Sequence, residues 1–374
     1  LQAFDQFDQV RNNYPPVNAY LYMIYSRTGN PKSSGEYLVK TGIIKADTSL
    51  LSRDDFDAIR NTQVFRDARK VFMDMLDSLQ RSELAFKLND PGIHPESIAF
   101  DPVNSRFYIG SIRNRQILVY ESGLIYEFKG PAQDRLMAIT GLAVDSDARV
   151  LWVASASMKQ MKYKEDGEAG SVVHAYDIDS GDLLFVHRIS DEDVLLGDLV
   201  LDKNGLPYMT NSLSPEIYRA NADSLWQWKE FPELINLQGL AMDEEGGLFF
   251  SDYILGIFHY SNGEVDRLSH DPLISTKGID GLYYRNGNLI ALQNGVFPMR
   301  VSQFTLDKNL RKINKVSYLD KNNHDLNEPV QGTWVGDWFY FISNSPWRYY
   351  EQDATFRLDE APLTQIRRVN LIAN

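Results

Sequence analysis

The apolar residues in the first 88 positions recur at the spacing of a helix. One such stretch runs from Phe4 to Val10, and a second runs from Ala19 to Tyr25. Side chains three or four positions apart share one face of a helix, so both stretches predict amphipathic helices. Thr28-Gly-Asn-Pro predicts a turn, after which Ser34 to Thr41 predicts a short further helix.

A longer helical pattern begins after Leu51. Ser52 and Asp55 have the spacing of a capping pair, whose side chains bond the free backbone groups of a first helical turn. Apolar residues then follow at three- to four-residue spacing from Phe56 to Leu79, with a break near Asn61. The sequence therefore predicts a helical region that extends to about residue 88.

From Glu96 onward the pattern changes to short segments in which apolar and polar residues alternate. Examples are Gln116-Ile-Leu-Val-Tyr and Leu289-Ile-Ala-Leu. Turn sequences such as Lys203-Asn-Gly and Glu245-Gly-Gly separate these segments. A period of two is typical of strands with one buried face, so this region is predicted to be all-β.

One phrase recurs six times in the β region: a polar residue, often glycine next, then alternating apolar residues. Successive copies begin between 41 and 57 residues apart. A period of roughly 40 to 50 residues with about four short strands per unit predicts a β-propeller, here with six blades. A β-sandwich is the alternative, but a sandwich has no reason to restart one phrase six times. The copies begin at Glu96, Thr140, Gly197, Gln238, Asp280 and Gln331.

The residues that begin these copies are expected at one mouth of the central channel, because the innermost strand of each blade lines that channel. Carboxylates would come from Glu96, Asp198 and Asp280, and an amide from Gln238. A second set of polar residues ends the second strand of each blade, 13 to 15 positions later. This set consists of Ser111, Ser155, Asn211, Asp252, Asn294 and Asn344.

Carboxylate and amide oxygens from several blades suit Ca²⁺ or another hard divalent cation. Such an ion polarises a carbonyl group and lowers the pKa of a bound water. Two buried carboxylates near one axis, Glu96 and Asp280, are costly unless they are paired or bound to a metal. For any single polar residue at a strand end, a turn hydrogen bond is the alternative interpretation.

Composition excludes several classes of function. The chain has 374 residues, of which 43% are hydrophobic, and a net charge of −13, which disfavours nucleic acid as a partner. Without cysteine there is no disulfide scaffold, thiolate metal site or cysteine nucleophile. No apolar run approaches the roughly 18 residues of a membrane helix. The start at Leu1 indicates a processed or trimmed chain, and the lack of cysteine suits a periplasmic or secreted protein, although a cytosolic protein could equally lack it.

Three segments of the β region resemble a known family of enzymes. Pro95-Glu-Ser-Ile-Ala-Phe-Asp, Gly197-Asp-Leu-Val-Leu-Asp and Ile279-Asp-Gly-Leu are similar to the senescence marker protein/gluconolactonase/luciferin-regenerating family, which is related to the paraoxonases and strictosidine synthases. The resemblance covers roughly residues 91 to 372. It implies a six-bladed propeller with one divalent ion on its axis.

The resemblance also implies which residues hold that ion. Family enzymes use one Glu, two Asn and one Asp, each from a different blade. The Glu matches Glu96 and the Asp matches Asp280, whereas the two Asn positions fall on Gly197 and Gln238. Glycine has no side-chain ligand and Gln238 is one carbon longer, so this chain departs from the family pattern at both positions.

Further segments resemble a bacterial branch of the family in which a short tetratricopeptide-like helical segment precedes the propeller. They include Gln293-Asn-Gly-Val-Phe-Pro and Asn327-Glu-Pro-Val-Gln-Gly in the β region, and Ala19 to Thr41 in the helical region. We therefore expect two units, a helical extension over residues 1–88 that packs on the propeller and a six-bladed propeller over residues 89–374.

The leading functional hypothesis is a metal-dependent hydrolase of a lactone or related ester. The candidate ligands of a divalent cation, most simply Ca²⁺, are Glu96, Gln238, Asp280 and Asn294. The candidate catalytic residues are Asp280, Asp198 and His94. The candidate substrate contacts are Asn211, Asp252, Glu328, Asn344 and Trp347. The alternative is a non-catalytic propeller that binds a small molecule, or a protein partner through the helical segment.

Overall fold

The computed structural model describes residues 15–131, 133–165 and 167–371, and this part of the chain contains three α-helices. They are α1 (Pro15–Arg27), α2 (Pro31–Ile44) and α3 (Gln63–Leu76). Short 3-10 turns span Thr48–Ser52, Asp54–Phe56, Trp347–Tyr349 and Leu358–Glu360. The helices predicted around Ala19–Tyr25 and Ser34–Thr41 are confirmed. The helix predicted from Phe4 to Val10 lies outside the described residues.

Helix α3 begins later than the sequence pattern predicted. Ser52 ends a 3-10 turn, and the residue that caps α3 is Thr62, whose hydroxyl accepts a hydrogen bond from the Phe65 N–H at 3.3 Å. The predicted capping partner, Asp55, forms an ion pair with Arg27 at the end of α1. The capping pair predicted at Ser52 is therefore wrong, because an ion pair to another helix occupies the carboxylate.

The helices and their connecting turns bury a cluster of apolar side chains. Phe56, Phe65 and Phe72 are at its centre, and all three are almost completely shielded from solvent. From the β region, the ring of Tyr318 packs against this cluster. Most of the apolar faces of α2 and α3 are thus covered by other parts of the helical segment.

Three polar side chains of the β region hold the C-terminal ends of the helices. The fully buried Arg300 donates a hydrogen bond to the Ile43 carbonyl at 2.9 Å, near the end of α2. At the end of α3, Lys321 donates to the carbonyl of Asp74 and Asn322 to that of Leu76. The last carbonyls of a helix lack partners within the helix and carry partial negative charge, so these donors stabilise the attachment.

The β region consists of six antiparallel blades, as the repeat predicted. Blade 1 is β3 (Pro95–Asp101), β4 (Arg106–Ser111), β5 (Gln116–Glu121) and β6 (Leu124–Lys129), and blade 2 is β7 (Ala138–Asp145), β8 (Val150–Ala156), β9 (Ser171–Asp177) and β10 (Leu183–Ile189). Blade 3 is β11 (Leu196–Leu201), β12 (Pro207–Asn211), β13 (Glu216–Ala220) and β14 (Leu225–Glu230), and blade 4 is β15 (Leu237–Met242), β16 (Leu248–Asp252), β17 (Gly256–Ser261) and β18 (Glu264–Arg267).

The last two blades include strands from other parts of the chain. Blade 5 is β20 (Ile279–Arg285), β21 (Asn288–Gln293), β22 (Arg300–Leu306) and β23 (Lys312–Lys321), and both β1 (Leu79–Gln80) and β19 (Ser269–His270) pair with β23. Blade 6 is β24 (Gly332–Val335), β25 (Trp338–Ile342) and β26 (Gln365–Asn370), with β2 (Glu83–Lys87) as its outermost strand.

The strands β1 and β2 join the two regions of the molecule. Leu79, which the helical pattern included, pairs with Lys321 in blade 5. Glu83 pairs with Arg368, so that a strand from before residue 89 completes the last blade. The propeller sheets therefore extend beyond the predicted boundary at residue 89. Six separate sheets also exclude the alternative of a β-sandwich.

The glycine in the repeated phrase has a packing reason. A Cβ atom at Gly141 would lie 2.5 Å from the Gly197 carbonyl oxygen of the next blade. A Cβ at Gly239 would lie 2.5 Å from the backbone nitrogen of Leu282, again in the next blade. The innermost strands of blades 2 and 3, and those of blades 4 and 5, are thus too close for a side chain at these two positions, which explains the glycine at each.

No helix in the described ranges is both long and apolar enough to cross a membrane.

Candidate functional site

A β-bulge interrupts the innermost strand pair in five blades, at the residues that the repeat predicted for the channel mouth. The regular pairing skips Glu96 in blade 1, Thr140 in blade 2 and Asp280 in blade 5. In blade 3 it skips Gly197 and Asp198, and in blade 4 it skips Gln238 and Gly239. A bulge takes a residue out of the ladder and redirects its side chain. The same local irregularity therefore positions this residue in blade after blade.

All of these residues except Gly239 line one cavity of about 210 Å³, which we call the axial cavity. Its polar lining includes Glu96, Asp198, Gln238 and Asp280. The other lining residues are Ile112, Thr140, Met158, Leu195, Gly197, Ser212, Gln331 and Trp347. Pockets for drug-sized ligands measure about 300–1,000 Å³. A ligand of the axial cavity is therefore expected to be small.

Glu96 is held through one of its two carboxylate oxygens. Trp347 Nε1 donates a hydrogen bond to Oε2 at 2.9 Å, and Ser345 Oγ donates to the same oxygen at 3.2 Å. Burial, followed by the charge of Asp280, raises the pKa of Glu96 well above its usual value, although the two hydrogen bonds oppose that shift. Its neighbours thus orient the carboxyl group, but its ionised form remains unfavourable in this environment.

His94 lies behind Glu96, with its side chain fully buried. Its Nδ1 is 2.9 Å from the Tyr350 hydroxyl, and its ring meets that of Trp347 edge-on at a centroid distance of 4.5 Å. Its Nε2 is 3.7 Å from Glu96 Oε2, which is beyond hydrogen-bond distance. Burial, with a contribution from Arg113, lowers the pKa of His94 to about 3. The ring is therefore neutral at neutral pH, and its predicted catalytic role stays a prediction.

Asp280 is oriented by a chain of two hydrogen bonds. Asn294 Nδ2 donates to Asp280 Oδ2 at 2.6 Å, and the Tyr253 hydroxyl donates to Asn294 Oδ1 at 2.9 Å. Burial raises the pKa of Asp280; the bond from Asn294 opposes the shift, and the charges of Glu328 and Asp198 add to it. The Asn294 oxygen faces Tyr253, so Asn294 positions Asp280 in this structure.

Asp198 connects blades 3 and 4 at the channel. Its Oδ1 accepts a hydrogen bond from its neighbour, the Leu199 N–H, at 2.9 Å, and its Oδ2 accepts one from the Leu240 N–H at 2.8 Å. Burial raises the pKa of Asp198 to about 7, even though both hydrogen bonds favour the charged form. A carboxyl with a pKa near neutrality can both accept and return a proton.

At the two positions where the resemblance implies Asn, this chain has Gly197 and Gln238, and each has its own local contacts. A Cβ atom at Gly197 would lie 2.6 Å from Ser212 Oγ, so the Ser212 hydroxyl occupies the space that a longer side chain would need. Gln238 Nε2 donates to Asn236 Oδ1 at 2.8 Å. In the described part of the chain, no group of three or more His, Asp or Glu side chains could hold a metal ion. Among the residues that line the axial cavity, Glu96, Asp198 and Asp280 carry carboxylate oxygens and Gln238 carries an amide oxygen.

The polar residues at the ends of the second strands have a different environment. Asp252 accepts hydrogen bonds from the N–H groups of Ile235, Asn236, Ile254 and Leu255, at 2.6 to 3.1 Å. Asn211 accepts from the Leu195 N–H at 3.0 Å, and Asn344 accepts from the Gln365 N–H at 2.7 Å. These three predicted substrate contacts thus hold loops together, and the structure does not bring them to the axial cavity.

Trp347 and Glu328, the other predicted substrate contacts, lie on different cavities. Trp347 lines the axial cavity and bonds Glu96. Glu328 lines a neighbouring cavity between blades 5 and 6. Burial raises the pKa of its carboxyl group, and the nearby Arg348 guanidinium acts against that shift.

Besides Leu195, which lines the axial cavity, sequence reasoning missed four residues of the site that occupy equivalent positions in their blades. Ile112 and Ser212 line the axial cavity, Tyr253 bonds Asn294 and Ser345 bonds Glu96. Each immediately follows a residue of the second-strand set. Because side chains alternate along a strand, the residue after a loop-holding position turns toward the axis. Moving one position further along each repeat would have identified all four.

Comparison with known proteins supports the fold at low sequence identity. No protein-family model matches this chain, and no curated protein matches its sequence. Among solved structures, the gluconolactonase from Xanthomonas campestris is 14% identical, with 77% of this chain and 95% of that chain covered and a TM-score of 0.50. The PQQ-bound aldose sugar dehydrogenase from Streptomyces coelicolor is 12% identical, with coverages of 79% and 98% and a TM-score of 0.52.

A third similar structure carries yet another chemistry. The inactive virginiamycin B lyase from Staphylococcus aureus, solved with quinupristin, is 13% identical, with coverages of 79% and 100% and a TM-score of 0.50. The structure is thus a six-bladed propeller similar to that of a gluconolactonase, and the fold implied by the resemblance is confirmed. A dehydrogenase, a lactonase and a lyase share this architecture, so function has to be argued from the site.

Proposed function

We propose that this protein hydrolyses a lactone or a related small ester in the axial cavity, with a divalent cation held by Glu96 and Asp280. One observation carries the proposal: two largely buried carboxylates from different blades line one small cavity, and burial, followed by repulsion from the charge of Asp280, raises the pKa of Glu96. A bound cation would relieve this repulsion. The hydrogen bonds from protein side chains reach Oε2 of Glu96 and Oδ2 of Asp280.

The donors suit a hard cation, with the amide oxygen of Gln238 as a third protein ligand. Carboxylate and amide oxygens are the ligands that Ca²⁺ prefers, and water or substrate would complete its coordination. When bound, such a cation would polarise the carbonyl group of an ester. Ser345 and Trp347 orient Glu96, while Asn294 and Tyr253 orient Asp280.

Asp198 would move the proton in this reaction. Its carboxylate would accept a proton from the attacking water as the oxygen of that water bonds to the carbonyl carbon. When the bond from that carbon to the ring oxygen breaks, the proton would pass to the departing alkoxide, which leaves a hydroxy acid as product. The pKa of about 7 suits both halves of this transfer near neutral pH. Ile112, Leu195 and Met158 form apolar walls that limit water in the cavity.

The first test replaces a carboxylate of the axial cavity. Asp280→Asn should lower kcat/KM for small γ- and δ-lactones by about 100-fold or more, since even outer partners of metal ligands contribute about 10- to 100-fold. Bound calcium, measured by elemental analysis after purification without added metal, should fall together with activity. Asp223→Asn changes an exposed aspartate in a turn and should leave both quantities unchanged. A variant at Asp280 as active as the parent would refute the mechanism.

Ser212 in the space beside Gly197 favours a second candidate function. With no side-chain ligand at this position, the same cavity would serve as a binding site without turnover. A parent chain that bound small polar molecules but contained no metal and hydrolysed no lactone would support this function instead.

A further inference from the structure

A second cavity of about 380 Å³ lies between blades 5 and 6. We call it the side cavity. Its apolar walls are Phe297, Pro298 and Met299, from the loop after β21, and Leu326, from the connection between the two blades. Glu328 and Arg348 supply its charged groups, and Asn322, Asn323 and Asn327 also line it. A pocket that combines apolar walls with convergent polar groups is the usual form of a small-molecule site.

The side cavity and the axial cavity are neighbours. The Ser345 N–H donates a hydrogen bond to the Glu328 carbonyl at 3.0 Å, and Ser345 Oγ donates to Glu96 Oε2 at 3.2 Å. One serine thus contacts both a residue of the side cavity and a carboxylate of the axial cavity. Trp347 lines the axial cavity, and the next residue in the chain, Arg348, lines the side cavity.

The backbone of Glu328 has an unusual conformation next to its contact with Ser345. Its φ angle is +67°, a region that residues other than glycine rarely adopt. Its N–H points to the sulfur of Met299 at 3.0 Å, and its carbonyl accepts the bond from Ser345. Such strained residues persist where their surroundings fix them, and they cluster at functional sites.

We propose that the side cavity receives an apolar substituent of the molecule whose ester group lies in the axial cavity. The substrate would then be a lactone or ester that carries an aliphatic chain or an aromatic ring. The substituent is uncharged, because one acidic and one basic side chain leave the cavity without an excess charge that would pair with an ion, and its walls are apolar. This inference rests on the proposed function for the ester group only; the side cavity itself is argued from its own residues.

The test compares two lactones that differ only in the substituent, γ-butyrolactone without one and γ-nonalactone with a pentyl chain. Binding is measured by calorimetry, with Asp280→Asn as the background wherever the parent hydrolyses them. We expect γ-nonalactone to bind roughly tenfold more tightly or better, since one methylene in an apolar pocket changes affinity by about 10- to 200-fold. Phe297→Ala should remove most of this preference, because the Phe297 ring forms one wall.

A matched control comes from another loop. Leu213 is 55% exposed and Phe297 is 49% exposed, but Leu213 lies in the loop that follows β12 of blade 3. Leu213→Ala should therefore keep the preference. The backbone bonds of Phe297 to Ile44 and Ala46 do not involve its side chain, so Phe297→Ala should fold normally.

The outcomes separate this inference from the proposed function. Equal binding of the two lactones, no binding of either, or a preference that Phe297→Ala leaves intact would overturn the side-cavity proposal. Loss of the preference in Leu213→Ala as well would also overturn it. A preference sensitive to Phe297 but without any hydrolysis would support the side cavity and refute the hydrolase. Hydrolysis of the lactones without a preference in binding would support the hydrolase and refute the side-cavity proposal.

Discussion

Two rings of polar side chains surround the channel, and they differ in how their atoms are bonded. The axial ring, Glu96, Asp198 and Asp280, begins the innermost strands and faces the axial cavity. The loop ring, Asn211, Asp252 and Asn344, ends the second strands and is buried more completely than Glu96 and Asp280. In the axial ring burial raises every pKa, whereas in the loop ring backbone groups saturate the side-chain oxygens.

This difference in bonding separates structural from functional roles better than residue type does. A buried carboxylate that accepts several N–H bonds stabilises the loops that donate them. Buried carboxylates that repel one another destabilise the fold unless a cation or protons neutralise them, and such perturbed groups cluster at functional sites. The axial ring should therefore tolerate neutralisation, and the loop ring should not.

The largest effect is expected in the loop ring. Asp252→Ala leaves four backbone N–H groups without their acceptor, and each such loss costs about 1–3 kcal/mol when the group stays buried. We expect the free energy of unfolding to fall by ~3 kcal/mol or more, measured by urea denaturation. Glu96→Gln, the axial counterpart, should change it by less than ~1 kcal/mol, because it removes a charge that the fold disfavours. Similar losses in both variants would abolish the distinction between the rings.

The axial ring should also make stability depend on pH in a defined direction. The pKa of Asp198 is about 7 in the folded chain, against a normal value of 3.8. Between these values the folded state keeps the proton and the unfolded state does not, so stability falls as pH rises from about 4 to about 7. One such group changes the slope by at most ~1.4 kcal/mol per pH unit.

The matched pair for this measurement is Asp198→Asn and Asp223→Asn, studied with a chelator present to keep cations from the site. The first variant should flatten the fall in unfolding free energy between pH 4 and 7, and the second should not, because Asp223 is exposed. An unchanged slope in Asp198→Asn would mean that Asp198 is ionised throughout this range and does not belong with the other axial carboxylates.

The sequence predicted the axial ring because the repeat encodes a position. Glu96 and Asp280 begin copies of one phrase, and a propeller brings equivalent positions to one axis. The glycine of the phrase also had a visible signal, since close packing of innermost strands requires it. The number of blades thus followed from the period of the repeat alone.

Other features depended on contacts between distant parts of the chain. The residue type of Asn294 predicted a metal ligand, but the hydroxyl of Tyr253 determines where the Asn294 side-chain oxygen faces. Asp55 has the spacing of a capping residue, but Arg27 of another helix binds it. Glu83 begins a strand that completes blade 6, although it lies some 285 residues before its partner Arg368. Such pairings follow from tertiary structure, and no local pattern contains them.

The smallest effect should appear at the contact that orients Glu96. Trp347→Phe keeps the aromatic wall but removes the indole N–H, whose hydrogen bond to Oε2 lowers the pKa of Glu96. Hydrogen bonds to charged groups contribute about 1.5–3 kcal/mol, so the pKa should rise by about one to two units. Carboxyl NMR titration of Glu96 measures the shift without requiring activity. If hydrolysis needs the ionised carboxylate, the acid limb of kcat/KM should move upward equally.

Trp338→Phe is the control, since that indole lies against the Arg368 guanidinium on the outer part of blade 6 and does not line the axial cavity. It should leave the Glu96 titration unchanged. If Trp347→Phe also left it unchanged, the hydrogen bond would not stabilise the charged form of Glu96, and Trp347 would serve only as a wall of the cavity. A shift confined to Trp347→Phe would instead show that the axial ring depends on donors from a neighbouring blade, as the loop ring depends on the backbone of its own loops.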